Sequence, residues 1–283
     1  MKKTAIMTDT NSGITPEVAK ENGIYLLKMP FAVNGKEYIE YGEMSYGEFF
    51  EVLDSGAEVS TSQPSPAALT DMWDEILKEY ESVVYFPMSS GLSGTCETAR
   101  ALASDYDGRV LVVDNKRISV TLYTSVFNAA KQADDGLSAE KIADFAEKEA
   151  GEQSIYVSVN TLEHLKKSGR VTAAGAAIGT LLGIKPVLQI QGGKLDAYKK
   201  VRGMKAAIEA MLDGIENDRN TRFAGKRITV RAAYSGDIEV GKEWRAQVKE
   251  RFPDIEIGLD ALPISISCHV GGGALGIGIS VVL

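Results

Sequence analysis

The sequence predicts a two-domain α/β protein. An N-terminal α/β domain with a mainly parallel sheet is expected over residues 1–153, and a C-terminal α+β domain with a mainly antiparallel sheet over residues 154–283. Three observations predict it. In the first half, short apolar runs alternate with helical stretches, the pattern of buried strands joined by crossover helices. The second half carries alternating segments around a Gly-Gly pair and ends on a strand. The length of 283 residues at 44% hydrophobic content is enough for two ordinary domains, each with its own core.

Taken in order, "TAIMTD" (residues 4–9) reads as a short buried strand. "SPAALTDMWDEILKEY" (65–80) reads as a helix, with Leu69, Met72, Trp73, Ile76, Leu77 and Tyr80 at helical spacing. Ser65 suits its N-cap and Pro66 its first turn. "SVVYFP" and "RVLVVD" read as further buried strands, separated by a helix that begins near Gly94 and carries Ala99, Leu102 and Ala103. A polar helix, "SAEKIADFAEKEAGEQ" (138–153), closes the first half. Beyond it, "IKPVLQIQGGKLDAYKKV" alternates about Gly192-Gly193, a two-residue hairpin signal. Helices are expected near 203–216 and 238–251 around the strand "RITVRAAYSG", with "LGIGISVVL" as the last strand. The glycine- and alanine-rich "GRVTAAGAAIGTLLG" (169–183) fits either a helix packed tightly on the sheet or a close-packed wall beside a ligand.

The formal charge of −8 leaves no basic field to attract nucleic acid. Cys96 and Cys268 are the only cysteines, which argues for free thiols in a reducing compartment and makes the cytoplasm the expected location. "MKKTAIM" is followed by the polar "TDTNSG", so the start does not read as a signal peptide, and no run approaches the ~18 apolar residues of a membrane span. Contact with lipid is then expected through a pocket, or transiently at the surface.

The chemistry is concentrated in a few loops. "PMSSGLSGTCETARAL" (87–102) places hydroxyls and glycines between a strand and a helix, where the amides near Ser93, Gly94 and Thr95 are expected to face an anion. Ordinary helix capping needs only one such hydroxyl. "STSQPSP" (60–66) sits at another strand-to-helix junction; with Ser65 capping the helix, Thr61 and Ser62 are free to face Ser93. Gly271, Gly273 and Gly276 spell G-x-G-x-x-G, but only seven residues follow and they read as a strand, so a dinucleotide site is rejected in favour of a tight turn. His269 opens that turn, either as a structural histidine or as a partner of Ser93, in a nucleophilic pair or in fixing a bound acid. The hydrolase elbow is incomplete, because "GLSGT" has Thr95 where its last glycine belongs. Cys96, Cys268, His164 and His269 show no metal-ligand spacing, and no Walker loop occurs.

Six blocks taken together resemble the DegV family: "TSQPSP" (61–66), "SSGLSGTCETA" (89–99), "LEHLKKSGRV" (162–171), "GIKPVLQIQGGKL" (183–195), "KVRG" (200–203) and "CHVGGGALGIG" (268–278). That family includes the fatty-acid-binding subunits of bacterial fatty acid kinase. The resemblance implies a two-domain carrier, not itself an enzyme and without a cofactor, that holds a long-chain fatty acid of the palmitate, stearate or oleate type. It would present the carboxylate to a separate fatty acid kinase catalytic subunit, giving an acyl phosphate for phospholipid synthesis. By the same resemblance Thr61 and Ser93 bind the carboxylate, with Ser62, the backbone at Gly94 and Thr95, and His269 around it. Leu92, Ser119 and Gly271 would line the lipid pocket, and Arg170 and Arg202 would dock the kinase. The alternatives are a binder of another amphipathic acid without a kinase partner, and a serine hydrolase built on Ser93 and His269.

Two departures stand out. The turn that usually reads Gly-Pro-Gly is Gly271-Gly272-Gly273, which predicts a looser turn, and in "VVDNKRISVTLY" (112–123) Asp114 and Ser119 fit the family pattern while Asn115 and "TLY" do not. The physics suits the inherited role. Burying ~15 methylenes at ~0.8 kcal/mol each bounds the tail's contribution near ~12 kcal/mol, so tail burial dominates affinity. The absence of Lys and Arg between Ser60 and Pro66 and between Pro87 and Ala99 predicts a carboxylate held by neutral donors, and with no loop to clamp phosphates the chain should not phosphorylate fatty acid alone.

Overall fold

The structure is a computed structural model that describes residues 2–177 and 184–283. In chain order the first part runs β1 (Lys2–Asp9), α1 (Pro16–Glu21), β2 (Ile24–Leu27), β3 (Pro30–Val33), β4 (Lys36–Ile39), α2 (Tyr46–Asp54), β5 (Val59–Thr61), α3 (Pro66–Ile76), β6 (Tyr80–Phe86), α4 (Thr95–Ala103), β7 (Val110–Val112), α5 (Ser119–Asp134) and α6 (Ala139–Lys148). The second part runs β8 (Gln153–Ser158), α7 (Glu163–Ser168), α8 (Ala173–Ala176), β9 (Ile184–Ile190), β10 (Asp196–Arg202), α9 (Gly203–Asn220), β11 (Ile228–Tyr234), α10 (Ile238–Arg251), β12 (Ile257–Ala261), α11 (Ile264–Val270) and β13 (Leu275–Val281).

Strands β2-β1-β6-β7 form a wholly parallel sheet, as the buried runs joined by helices require. One face carries Ile6, Val84 and Phe86 against α5 and α6; the other carries Met7, Val83 and Tyr85 against Trp73 of α3 and Ala99 of α4. The second sheet, β10-β9-β8-β13-β11-β12, is antiparallel except for the β11–β12 pair. Its main core packs Tyr156, Val230 and Ile277 with Met211 of α9 and Trp244 of α10.

Several local expectations are corrected. Ser65 does cap α3, accepting from the Ala68 amide, but the helix ends at Ile76 and Tyr80 opens β6. The hairpin about Gly192-Gly193 exists, yet five residues rather than two join β9 to β10, with Gly193 at φ 81° and a register shift between Ala197 and Lys199. Thr61 ends β5, which belongs to a small antiparallel sheet β4-β3-β5 and not to the parallel one. The Gly271-Gly272-Gly273 turn is pinned rather than loose. Ser235 Oγ donates to Gly271 O at 2.7 Å, Asn160 Nδ2 to Gly272 O at 3.0 Å, and the Gly273 amide to Ser235 O at 3.0 Å. Gly271 and Gly273 have φ of 75° and 72°, a region that excludes most side chains and explains why glycine stands there. Of the 169–183 segment, α8 accounts for four residues, and positions 178–183 lie outside the described residues.

Candidate ligand cavity

The small sheet and α2 seat α11, and α11 carries the histidine. Ile264 and Cys268, one turn apart, pack with Phe31, Phe49 and Leu53. That leaves Ser265, Ile266, His269 and Val270 to face a cavity of about 1080 Å³, its open mouth included. The cavity lies between the two large sheets. From the second part come Ile155 and Val157 of β8, Ile190 of β9, Ala233 of β11, Ile277 of β13, and Leu165, Leu195 and Leu262. From the first come Asn11, Met29, Thr61, Ser62, Gln63, Met88, Leu92, Ser93, Gly94, Ile118, Ser119 and Val120. Most of the wall is aliphatic, and the polar groups gather around the mouth, where Ser62, Gln63 and Gly94 are exposed and Thr61, Ser93 and His269 half-buried.

These mouth residues are joined. Thr61 Oγ1 and His269 Nε2 lie 2.9 Å apart, bridging residues 208 positions apart in sequence. Gln63 crosses to the other loop, where its Oε1 accepts from Thr98 Oγ1 at 2.8 Å. A Cβ on Gly94 would fall 2.7 Å from Gln63 Nε2, so a larger residue there would displace the Gln63 side chain. Ser93 Oγ lies 2.9 Å from Thr95 Oγ1 and accepts from the Thr95 amide at 3.2 Å, while the Ser93 amide donates to Ser89 O. Of the three amides expected to face an anion, two are therefore engaged, and that of Gly94 is left without a partner among the described residues. No side chain caps α4, so its first turn still opens toward the loop.

Burial pushes His269 down to about 4, helped by the neighbouring Arg170 and His164. Its imidazole is thus neutral at pH 7, with Nδ1 buried and without a partner among the described residues. Among the described residues no carboxylate orients that nitrogen, and Ser93 bonds to Thr95, so they do not assemble the nucleophile–base–orienter arrangement of a hydrolase. Both thiols are buried and pushed up, Cys96 to about 11 and Cys268 to about 12, and among the described residues no three His, Cys, Asp or Glu side chains converge on a metal-sized site. No helix among them is long and apolar enough to cross a membrane.

The remaining expected residues divide. Leu92 and Ser119 line the cavity; Ser119 opens α5 at φ 53°, a strained setting for a non-glycine residue. Thr95 sits behind Ser93 and not on the wall. Gly271 lines a different groove, beside His164 and Phe50. Arg202 is exposed in a shallow groove with Lys199 and Lys205. Arg170 lines the cavity itself, so the mouth is not made of neutral donors alone.

Sequence reasoning missed Asn11, Gln63 and Ser265. It also missed a buried acidic pair behind them. Glu40 Oε1 accepts from the Ser265 amide at 2.6 Å, and burial pushes Glu40 up to about 7. Asp9, at the C-terminal end of β1, is pushed by burial up to about 6. The signal available was "TDTNSG": polar residues directly after a buried strand, at the sheet edge where ligands of parallel sheets collect.

A family model described as uncharacterised protein, DegV family, matches residues 3–281. A DegV domain-containing protein of Deinococcus radiodurans is 31% identical over 277 residues, 96% of each chain. Among solved structures, a fatty-acid-binding DegV family protein from Thermus thermophilus superposes with a TM-score of 0.89 at 29% identity, covering 99% of this chain and all of that one. DegV of Bacillus subtilis, described as a fatty acid binding protein, superposes at 0.87 and 26% identity, covering 99% of this chain and 100% of that one.

Proposed function

The chain belongs to the DegV family, and from that premise we propose that it carries a long-chain fatty acid whose carboxylate it presents to a separate fatty acid kinase. The observation that carries the reading is the cavity itself, aliphatic over most of its wall, with hydroxyls, one amide and a neutral histidine at its mouth. A fatty acid needs that division, an apolar slot for the tail and donors for one charged end. The fatty-acid-binding relatives from Thermus and Bacillus support it.

The carboxylate is held by Thr61, Ser62, Ser93 and the Gly94 amide, with Thr95 and His269 behind them. When His269 donates from Nε2, Thr61 accepts and its own O–H turns to the ligand. Arg170, beside His269, adds positive charge at the mouth, and with Arg202 it is proposed to meet the kinase. The lipid lies between an N-terminal domain, residues 1–153, and a C-terminal domain, residues 154–283, and the complex works in the cytoplasm without a cofactor. Acyl phosphate formation belongs to the kinase, because phosphoryl transfer needs a metal–nucleotide clamp supplied from elsewhere.

Mass spectrometry of lipid extracted from the purified protein, followed by incubation of the palmitate-loaded protein with ATP and a fatty acid kinase catalytic subunit, tests both halves. A near-stoichiometric C16 or C18 acid, converted to acyl phosphate only when both proteins are present, is the expected result. A different amphipathic acid that the kinase ignores would leave a DegV carrier with another ligand. Turnover without the kinase would overturn the carrier reading.

A further inference from the structure

We infer that Asn11 is an additional donor to the bound carboxylate, reaching it from the buried side of the mouth through its side-chain NH2. Asn11 lies in a one-turn 3-10 helix, Thr10–Ser12, directly after β1. The turn is held on both sides, with Asp9 Oδ1 accepting from the Asn11 amide at 2.9 Å and Ser12 Oγ donating to Asp9 O at 2.8 Å. Asn11 is fully buried, yet it forms part of the cavity wall.

Its two side-chain ends differ. Oδ1 accepts from Ser265 Oγ at 2.9 Å, which fixes the amide plane. Nδ2 is buried and makes no full hydrogen bond among the described residues, although it lies close enough to the Asp9 carboxylate to hold that group down. A buried donor left unpaired is unfavourable, and native structures rarely leave one so. An occupant of the cavity is what can satisfy it. A saturated fatty acid carries acceptor atoms only in its carboxylate, so on the fatty-acid reading, on which this inference rests, the carboxylate is the one partner such a ligand offers.

The position agrees. Ser265 and His269 are four residues apart on α11 and share the face turned to the cavity, about 6 Å apart along the axis. The Asn11–Ser265 pair and the Thr61–His269 pair thus lie one helical turn apart along the same face, with Asn11 the more deeply buried.

The test compares palmitate with hexadecanol, by displacement of a fluorescent fatty acid, for the wild type, Asn11→Ala and Asn11→Asp. The aspartate keeps the oxygen that Ser265 binds and the shape of the turn but replaces the NH2 by an acceptor. We expect Asn11→Ala to weaken palmitate about ten- to a hundred-fold, the range of one hydrogen bond to a charged group, with hexadecanol little changed. Asn11→Asp should weaken palmitate at least as far. Equal losses for both ligands would make Asn11 a structural residue, and no loss for either would assign its NH2 to a trapped water; both results overturn the inference while the fatty-acid reading stands. Wild-type protein that fails to bind palmitate overturns the two together.

Discussion

The two walls of the cavity are made by different kinds of sheet, and they differ in chemistry for that reason. The first part is a parallel sheet whose strands end in loops, and its loops and neighbouring turns bring Asn11, Ser93, Gly94 and Ser119 to the cavity, while the small sheet adds Thr61 and Ser62. The second part offers a sheet face, where alternation puts Ile155 and Val157 of β8 on the same side and exposes almost no polar atoms. Loop ends can present amides and hydroxyls; a paired strand has already spent its backbone groups on its neighbours. The exceptions on the second wall, Arg170, Ser265 and His269, come from the segment after α7 and from the helix α11, not from a strand. An amphipathic ligand would therefore be matched by topology as much as by side-chain choice.

The comparison is broken most decisively through the apolar wall. If that wall holds the tail, shortening the ligand from sixteen carbons to ten should lose about 5 kcal/mol, more than a thousand-fold in Kd by competitive displacement. A loss of tenfold or less would mean that the tail lies elsewhere.

Next comes the buried charge behind the polar wall. The pKa of Glu40 is raised on folding, to about 7, so the folded chain binds a proton that the unfolded chain releases. Its contribution is complete below the ordinary carboxylate range and is lost as pH rises through about 7. Glu40→Gln keeps the acceptor for the Ser265 amide and removes that dependence. Urea titrations at pH 8 should therefore find the variant more stable than wild type by roughly 3 kcal/mol, the difference shrinking to near zero at pH 4.5. His269 has the opposite sign: its contribution is present above about 6.5 and is lost as pH falls toward about 4. A Glu40→Gln difference that did not change with pH would contradict the burial that raises this group.

The smallest of these effects sharpens the polar side. Ser93→Ala removes one hydroxyl and should weaken palmitate about tenfold. Hexadecanol, with one oxygen and no charge, should lose less. Equal losses would place Ser93 beside the tail rather than the head.

Much of this was legible in the residues. Strand β6 and α3 with its serine cap follow from periodicity and capping, and Thr61, Ser62 and Ser93 follow from hydroxyls in excess of what capping needs. Helix α5 was not legible. Its first half is rich in β-branched residues, and Val120, Thr121, Leu122, Thr124, Ser125 and Val126 are all buried, so no polar stripe marks a helical period. The small sheet was missed because its strands are three or four residues long and one begins with Pro30. Arg170 was named for docking a kinase but not for the cavity wall, because charge was counted within two loops while the fold delivers it from beyond α7. Asn11 escaped because a polar run after a strand reads as an exposed turn; its burial is a tertiary fact.

The central claim is that head and tail are divided between the two walls, and a crystal structure with 16-bromohexadecanoate tests it most directly. The account predicts one anomalous bromine peak against the second sheet, near Val157, Ile190 or Ile277, with carboxylate density between Thr61 and Ser93. A bromine peak beside Thr61, Ser93 and His269 would contradict it.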